Sequence, residues 1–541
     1  MFIKRTKNSA GQTYYHLVES YRKNGKVHQR TLLSLGRAED GKLEHLAAAV
    51  AKHTDLMSAV DLAKNISIKD SYILGPLLVL QRLFETLGIN ATLRKIKTQH
   101  PKLEIDFVET VFTLVAARFI RPCSKLGIHD ELLKKMYPAM VDADVGLHHI
   151  YRSIDLLARH KNDIETSLYW HGRDLLNMHT DVILYDLTTL RFESVREDVG
   201  TLRRFGYSKE MRSDCTQVVL GLLVDKENIP LGFEVYPGNT FEGHTLSNIV
   251  EKMRKKFKVN RFIFVSDRGL MSKKNVTTLK ENKGEFIVGM RLGQMRQRRD
   301  EIYAHENFIK INENFSYYET QHNGDRCLIT WSLDRAERDK KVRDDILLKL
   351  QEKLTKKNVT SKNFVSNSNY QKFLKGFENG GRPTLNEAAI EAASKQDGFF
   401  AILTNVADQT AVELLNSYKE LWKIEDSFGE LKGTLKARPI FHWTDDRIIG
   451  HLTMCFLAHL CEAHLAYALR ISETMTETSA NTERPLSAAR SMRDLVDVRV
   501  IPVKLGINTL WVRTDITGHS SKIFSALSLR IPPKVLKISE M

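Results

Sequence analysis

Cysteine is scarce in this sequence and poorly placed for cross-linking. Cys123, Cys215, Cys327, Cys455 and Cys461 are scattered through 541 residues, odd in number and with no CxxC pair. That spacing indicates neither a disulfide framework nor a zinc knuckle, and it fits a reducing compartment. An apolar leader is missing as well. The opening MFIKRTKNSAGQ has no hydrophobic core, so no signal peptide is expected. No internal repeat is found, and no helix-turn-helix is clear enough to name. The most apolar stretch, around 448–470, contains His451, His459, Glu462 and His464. Those polar groups predict a buried helix rather than a membrane span.

What the sequence does have is positive charge. The formal net charge is +15, from 81 Lys and Arg against 66 Asp and Glu, and hydrophobic residues make up 42% of the chain. That apolar fraction is ample for a packed core, and the length suggests two to four domains. A basic surface of this size suits a polyanion, above all nucleic acid, although a merely basic soluble protein has the same composition.

Taken in order, residues 1–40 alternate as strands around Lys23-Asn24-Gly25, where Asn-Gly signals a hairpin, so a small basic β unit is expected. From 41 to 178 the apolar spacing is three and four, as in LGPLLVLQRLFETLG and FVETVFTLVAARFI, which predicts a helical region; its basic character makes it the candidate DNA-binding region. Between 179 and 292 the runs DVILYD, TQVVLGLLVD, IPLGFEVYPG, RFIFVSD and EFIVGMRL read as strands, with helices around the fourth. Strand–strand–strand–helix–strand–helix–strand is the order of a ribonuclease H-like α/β sheet. Asp186 and Asp267 lie at the ends of the first and fourth strands. Residues 293–398 read as an inserted domain of mixed strand and helix. Residues 399–471 return to a buried strand, FFAILTN, and the helices after it, and 472–541 form a tail region.

The stretch 411–440 reads as one long helix. Tyr418, Glu425 and Lys432 are spaced by seven on it, almost two turns, which puts them on one face. A half-buried helix whose polar groups snorkel or pair would carry the same pattern. With Asp186 and Asp267 the helix supplies a third acid, Glu425. Phosphoryl transfer on DNA needs an activated oxygen nucleophile and a neutralised leaving oxygen, and two Mg²⁺ ions held by a few carboxylates provide both. A lone aspartate after a strand is otherwise a turn residue; Asp225 in VDKEN is that ordinary case.

The ordered set YDLTTLRFE, GYSKEMRSDCTQVVLGLLVD, PLGFEVYPGNT, VSDRGL, DGFFAILTN, Y-x6-E-x6-K and RPIFHWTDDRIIGH resembles the DDE transposases of bacterial insertion sequences. The match lies in the insertion-sequence four family, in its sixteen-thirty-four branch, and runs from about 180 to 465. The resemblance implies a ribonuclease H-like catalytic core interrupted by a β-rich insertion. Asp186, Asp267 and Glu425 would be the catalytic acids and the ligands of two divalent ions, Mg²⁺ with Mn²⁺ as a substitute. The enzyme would act on DNA, at its element's ends and at a target, in the cytoplasm at the nucleoid and without a membrane, and the two-ended reaction implies a homodimer on DNA. Tyr418 and Lys432 would hold phosphates. Trp422 either stacks on an unpaired base or packs in the core. Leu421 departs from the signature, Y-x2-R-x3-E-x6-K, where arginine is usual; Lys423, Arg438 and Arg447 are candidates to supply that charge. Lys209 and Arg212 are read as phosphate contacts, or as a solvated basic loop. Thr188 and Thr189 either shape the first metal site or form hydrogen bonds at the strand end. A ribonuclease H-like nuclease that only hydrolyses, and a DNA-binding regulator without catalysis, are the competing readings.

Overall fold

The computed structural model describes residues 2–23, 26–37, 70–176, 182–197, 200–207, 214–241, 245–257, 261–269, 272–282, 284–293, 295, 299–355, 368–376, 383–476, 488–505 and 508–536. The chain divides into two compact units. One comprises Met1–Leu78, Glu131–Ala143 and Arg493–Met541, and the other Val79–Asp130 and Asp144–Met492.

In the first unit the alternating amino-terminal segment forms an antiparallel three-stranded meander, β1 (Phe2–Lys7), β2 (Thr13–Lys23) and β3 (Lys26–Arg37). Lys23 pairs with Lys26, the register of a hairpin closed by two residues. Those two, Asn24 and Gly25, lie outside the described residues. A second sheet joins β4 (Tyr72–Ile73) to tail strands Arg499–Leu505, Asn508–Arg513 and Val535–Leu536. Trp511 seals it, edge-on to both Tyr72 and Tyr137 at ring-centroid distances of 5.4 and 5.1 Å.

LGPLLVLQRLFETLG forms α1 (Gly75–Thr86), and α2 (Ile89–Gln99) follows. FVETVFTLVAARFI forms α3 (Phe107–Ile120), capped by Asp106, whose carboxylate accepts from the Glu109 N–H. This helix is apolar nearly all round and buried over most of its length, as such a pattern requires. α4 (Leu147–Arg159) and α5 (Lys161–Leu176) complete the helical part.

The second unit is organised on one nine-stranded sheet, made from β5 (Val182–Arg191), β6 (Gln217–Asp225), β7 (Pro230–Pro237), β8 (Ile263–Ser266), β9 (Glu285–Met290), β10 (Ile309–Asn312), β11 (Phe315–His322), β12 (Asp325–Ser332) and β15 (Phe399–Thr404). Its spatial order is β10-β11-β12-β15-β9-β8-β5-β6-β7. β5, β8 and β9 run parallel, and every other pairing is antiparallel. The parallel strands are joined by crossovers through α6 (Leu246–Phe257) and α7 (Lys273–Glu281). QVVLGLLVD is buried at every position, the mark of a strand covered on both faces.

Two features differ from the sequence reading. First, strands of the 293–398 segment continue the large sheet: β12 pairs with β15 from Arg326↔Thr404 to Trp331↔Phe399, and β15 pairs with β9. The rest of that segment carries α8 (Leu333–Leu354) and a short hairpin, β13 (Leu374–Lys375) with β14 (Thr384–Leu385), around its own core of Leu350, Phe373, Leu374 and Ala393.

Second, 411–440 is two helices, α9 (Ala411–Lys419) and α10 (Trp422–Lys432). α9 opens with a complete capping box between Thr410 and Glu413. Glu420 and Leu421 keep right-handed helical dihedrals. The hydrogen bonds tighten there to three-residue steps, Leu421 N–H to Tyr418 at 3.2 Å and Lys423 N–H to Glu420 at 2.9 Å. α9 packs on β8 and β9, and α10 on β5 and β6. α11 (Asp445–Thr476) holds the most apolar stretch. Its segment Asp445–Ser472 is long and apolar enough to cross a membrane, but 83% of the apolar window is buried inside the protein, as its histidines and Glu462 predict.

Candidate functional site

Strand register brings the two aspartates together. β5 and β8 are parallel, with Leu184 opposite Val265. Two residues further along each chain, on the same face by strand alternation, stand Asp186 and Asp267. Asp186 is mid-strand rather than terminal, because β5 continues through Leu187, Thr188 and Thr189 to Arg191. The two threonines are buried in the sheet. Asp267 is the first residue beyond β8, and its Oδ1 accepts from the Arg268 N–H at 2.6 Å. Glu425 comes down from the first turn of α10. All three carboxylates line one open cleft of about 590 Å³.

Tyr418 and Trp422 line the same cleft. Tyr418 is held above its usual range, first by burial and then by the charge of Asp267, to which its hydroxyl is hydrogen-bonded. It reaches that position because β9 has a glycine beneath it. A Cβ on Gly289 would lie 2.6 Å from the Tyr418 oxygen and 3.0 Å from the Arg268 backbone nitrogen. Trp422 is 56% exposed, which excludes the core-packing role.

Two arginines missed in the sequence, Arg335 and Arg338 of α8, line the cleft too. Arg335 lies over the Phe400 ring at 4.5 Å, and burial is the main cause that holds its pKa below the usual value. Arg338 Nε donates to the Asp334 carbonyl at 3.2 Å. Their spacing of three places both on one helix face, a signal present in LDRAERDKK. What the spacing could not give is the β12–β15 pairing that carries α8 to the cleft.

The other expected contacts lie elsewhere. Lys432, in the last turn of α10, is half-buried and is not among the residues lining the cleft. Arg438 lines a different pocket. Arg447 pairs with Asp155 at 3.4 Å and lies over the Tyr151 ring. Lys423 is engaged by Glu420 and the Lys226 carbonyl. Lys209 and Arg212 lie outside the described residues. Leu421 itself faces the cleft.

As arranged here, no three His, Cys, Asp or Glu side chains among the described residues stand close enough to hold an ion. The donor set nevertheless fits a hard divalent cation: three carboxylates from three elements share one cleft that is open to solvent.

The fold brings two aspartates and a helix glutamate to one cleft lined by arginines, and sequence comparison gives the family. Residues 177–461 match the transposase DDE domain, and residues 3–60 match the N-terminal domain of the IS1634 family transposase. The first match spans more than half of the chain, which therefore belongs to the DDE transposases, in the IS1634 family. The motif resemblance read from the sequence is thereby borne out. DDE transposase domains use divalent metal ions, and transposases act on DNA. No curated protein matches the chain.

Proposed function

We propose that this transposase binds the terminal inverted repeats of its insertion sequence, cleaves the DNA at the element ends and joins the freed 3′-hydroxyls to target DNA. The observation that carries this reading is the convergence of Asp186, Asp267 and Glu425 on one cleft. The order β7-β6-β5-β8-β9, with the last three parallel, supports a ribonuclease H-like core beneath it. Asp186, Asp267 and Glu425 would hold two Mg²⁺ ions, replaceable by Mn²⁺. When bound, such ions activate the attacking oxygen and neutralise the leaving one. The chain's own groups do the positioning. The sheet fixes the two aspartates, and the Tyr418 hydroxyl fixes the Asp267 carboxylate. Arg335 and Arg338 hold phosphates of the entering strand, and Trp422 presents an indole for an unpaired base. Lys432 grips a phosphate further along. The two ends are processed by a homodimer on DNA.

The test is a set of near-isosteric replacements, Asp186→Asn, Asp267→Asn and Glu425→Gln, compared by gel shift and by cleavage of end DNA in Mg²⁺. Binding is retained and cleavage is lost in each. Near-normal cleavage by any one of them removes that residue from the site. Cleavage without joining by the wild-type protein reduces the activity to that of a nuclease.

A further inference from the structure

A second pocket in the same unit carries a charge pattern that the carboxylate cleft does not use. It has a volume of about 200 Å³ and is lined by Arg118, Lys125, Lys436, Arg438, His442 and His451, among others. Among the described residues no carboxylate lines it. The cations come from α3, from the turn after it, from the loop following α10 and from α11, so the fold has gathered them from distant segments.

Two of the cations are deeply buried. Arg118 and Lys125 are each 5% exposed. Arg118 spends one arm on the carbonyls of Leu435 and Lys436, at 3.3 and 3.1 Å, while its Nε has no hydrogen-bond partner among the described residues. The His451 Nε2–H donates to the Ala437 carbonyl at 3.2 Å, which leaves Nδ1 to accept from Lys125 Nζ at 2.9 Å. Lys125 thus donates to a neutral acceptor, with no counter-charge among the described residues of the pocket lining. Burying cations without an anion is costly.

The proton affinities show the same imbalance. Burial, then the charge of Arg118, holds Lys125 well below lysine's usual range. Burial and the charges of Lys125, Arg447 and Arg118 push His442 down to about 3. His451 and Arg438 are lowered too, again chiefly by burial. Each shift disfavours the charged form, as neighbouring cations in a buried site do, and an entering anion would raise all of them.

We propose that this pocket is a second phosphate site, separate from the carboxylate cleft, that takes one phosphate of a DNA strand. Its size decides how much enters. At about 200 Å³ it is below the roughly 300–1,000 Å³ of ordinary small-molecule sites, so it admits a phosphate and part of a sugar but not a whole nucleotide. Phe441 lines the pocket and is 68% exposed, an unusual position for a phenyl ring and a stacking surface for the base attached to that phosphate. That the phosphate belongs to DNA rests on the function proposed above; that the pocket takes a phosphate does not.

The experiment uses the full chain without divalent metal, so that it reads neither cleavage nor the carboxylate site. Inorganic phosphate is titrated while thermal unfolding is followed, with wild type, Arg438→Gln, Arg438→Lys and Lys436→Asn. Lys436 is exposed and has φ +46°, a conformation asparagine tolerates, so Lys436→Asn keeps the fold if Arg438→Gln does not. Phosphate raises the wild-type midpoint saturably. Its apparent affinity falls at least tenfold in Arg438→Gln and severalfold in Lys436→Asn, and Arg438→Lys retains most of it. Equal phosphate response in all four proteins overturns the site. Single strands bearing a 5′-phosphate or a 5′-hydroxyl then compete with phosphate. A tenfold advantage for the first assigns a chain-end phosphate, and equal competition assigns an internal one. If neither strand competes, the DNA source is refuted. Persistence of the phosphate response in Asp186→Asn separates this site from the fate of the carboxylate reading.

Discussion

The two arginines of α8 make the most quantitative prediction. Arg335 and Arg338 are the arginines lining the cleft that also holds the three acids. If each neutralises one phosphate of the bound strand, replacing both with glutamine removes two ion-release events. Each is worth about 0.9 in the slope of log affinity against log salt for duplex DNA, so the slope becomes shallower by about 1.8. Between roughly 50 and 200 mM salt, a fourfold change, that difference amounts to about tenfold in affinity. The double variant therefore binds end DNA more weakly at low salt, and the gap to wild type narrows by about tenfold over that range. Fluorescence anisotropy with end DNA, read at five or six salt concentrations, gives both slopes. The Arg335 guanidinium also lies on Phe400 and near Asp339, so the thermal midpoint of each variant is compared first. Parallel slopes for wild type and double variant, with both folded, would refute the assignment whatever the absolute affinities.

Gly289→Ala places a methyl carbon 2.6 Å from the Tyr418 oxygen, so cleavage falls sharply. Adding Tyr418→Phe recovers part of the loss by removing that oxygen, with recovery limited by the Arg268 backbone nitrogen at 3.0 Å; single-turnover cleavage that is no better in the double variant than in Gly289→Ala contradicts the contact. Asp225 gives a pH effect. Its carboxyl is pushed up to about 7 by burial, while the N–H groups of Glu227 and Ile229 donate to it. The folded state therefore holds the proton more tightly than the unfolded one. The contribution is full below about pH 4 and is lost as pH rises through 7, on the order of a few kcal/mol. Asp225→Asn keeps the acceptor oxygen, so the difference in unfolding free energy between the two proteins changes across that window; a constant difference from pH 4 to 8 refutes the shift.

The elements that local pattern determines were legible in the sequence. The strand runs around Asp186 and Asp267, the antiparallel pairing of β2 with β3 and the burial of the 448–470 helix follow from alternation and apolar periodicity. Three misreadings have separate physical causes. Asp186 looked terminal because the apolar run pauses there, yet Thr188 and Thr189 are β-branched and continue the ladder opposite Leu220 and Val219. The 411–440 stretch reads as continuous because the seven-residue spacing runs through it, and Glu420 and Leu421 do keep helical dihedrals; only the hydrogen-bond step changes. The place of α8 depends on β12 meeting β15, with Arg326 opposite Thr404, and no local periodicity encodes a pairing across that separation.

The departure from the family signature at Leu421 can now be given a physical meaning, and it leads to a rescue experiment. Leu421 sits in the tight step between α9 and α10 and faces the cleft. Arginine is usual at that position in the family. Here Lys423 is held by Glu420 and the Lys226 carbonyl, and Arg447 is paired with Asp155, so neither stands in the cleft. Arg335 and Arg338 line the same space from α8. A phosphate in the cleft responds to the charge reaching it rather than to the element that carries it. Leu421→Arg should therefore restore cleavage to the Arg335→Gln protein. In the wild-type background the same change should bring little gain, because a third guanidinium meets the repulsion of two already present. The comparison is a double-mutant cycle on single-turnover cleavage, in which a positive coupling of 1 kcal/mol or more is about a fivefold rescue. Additive effects would mean that the arginines of α8 and the signature position serve different phosphates, and that the leucine marks a contact this enzyme has given up.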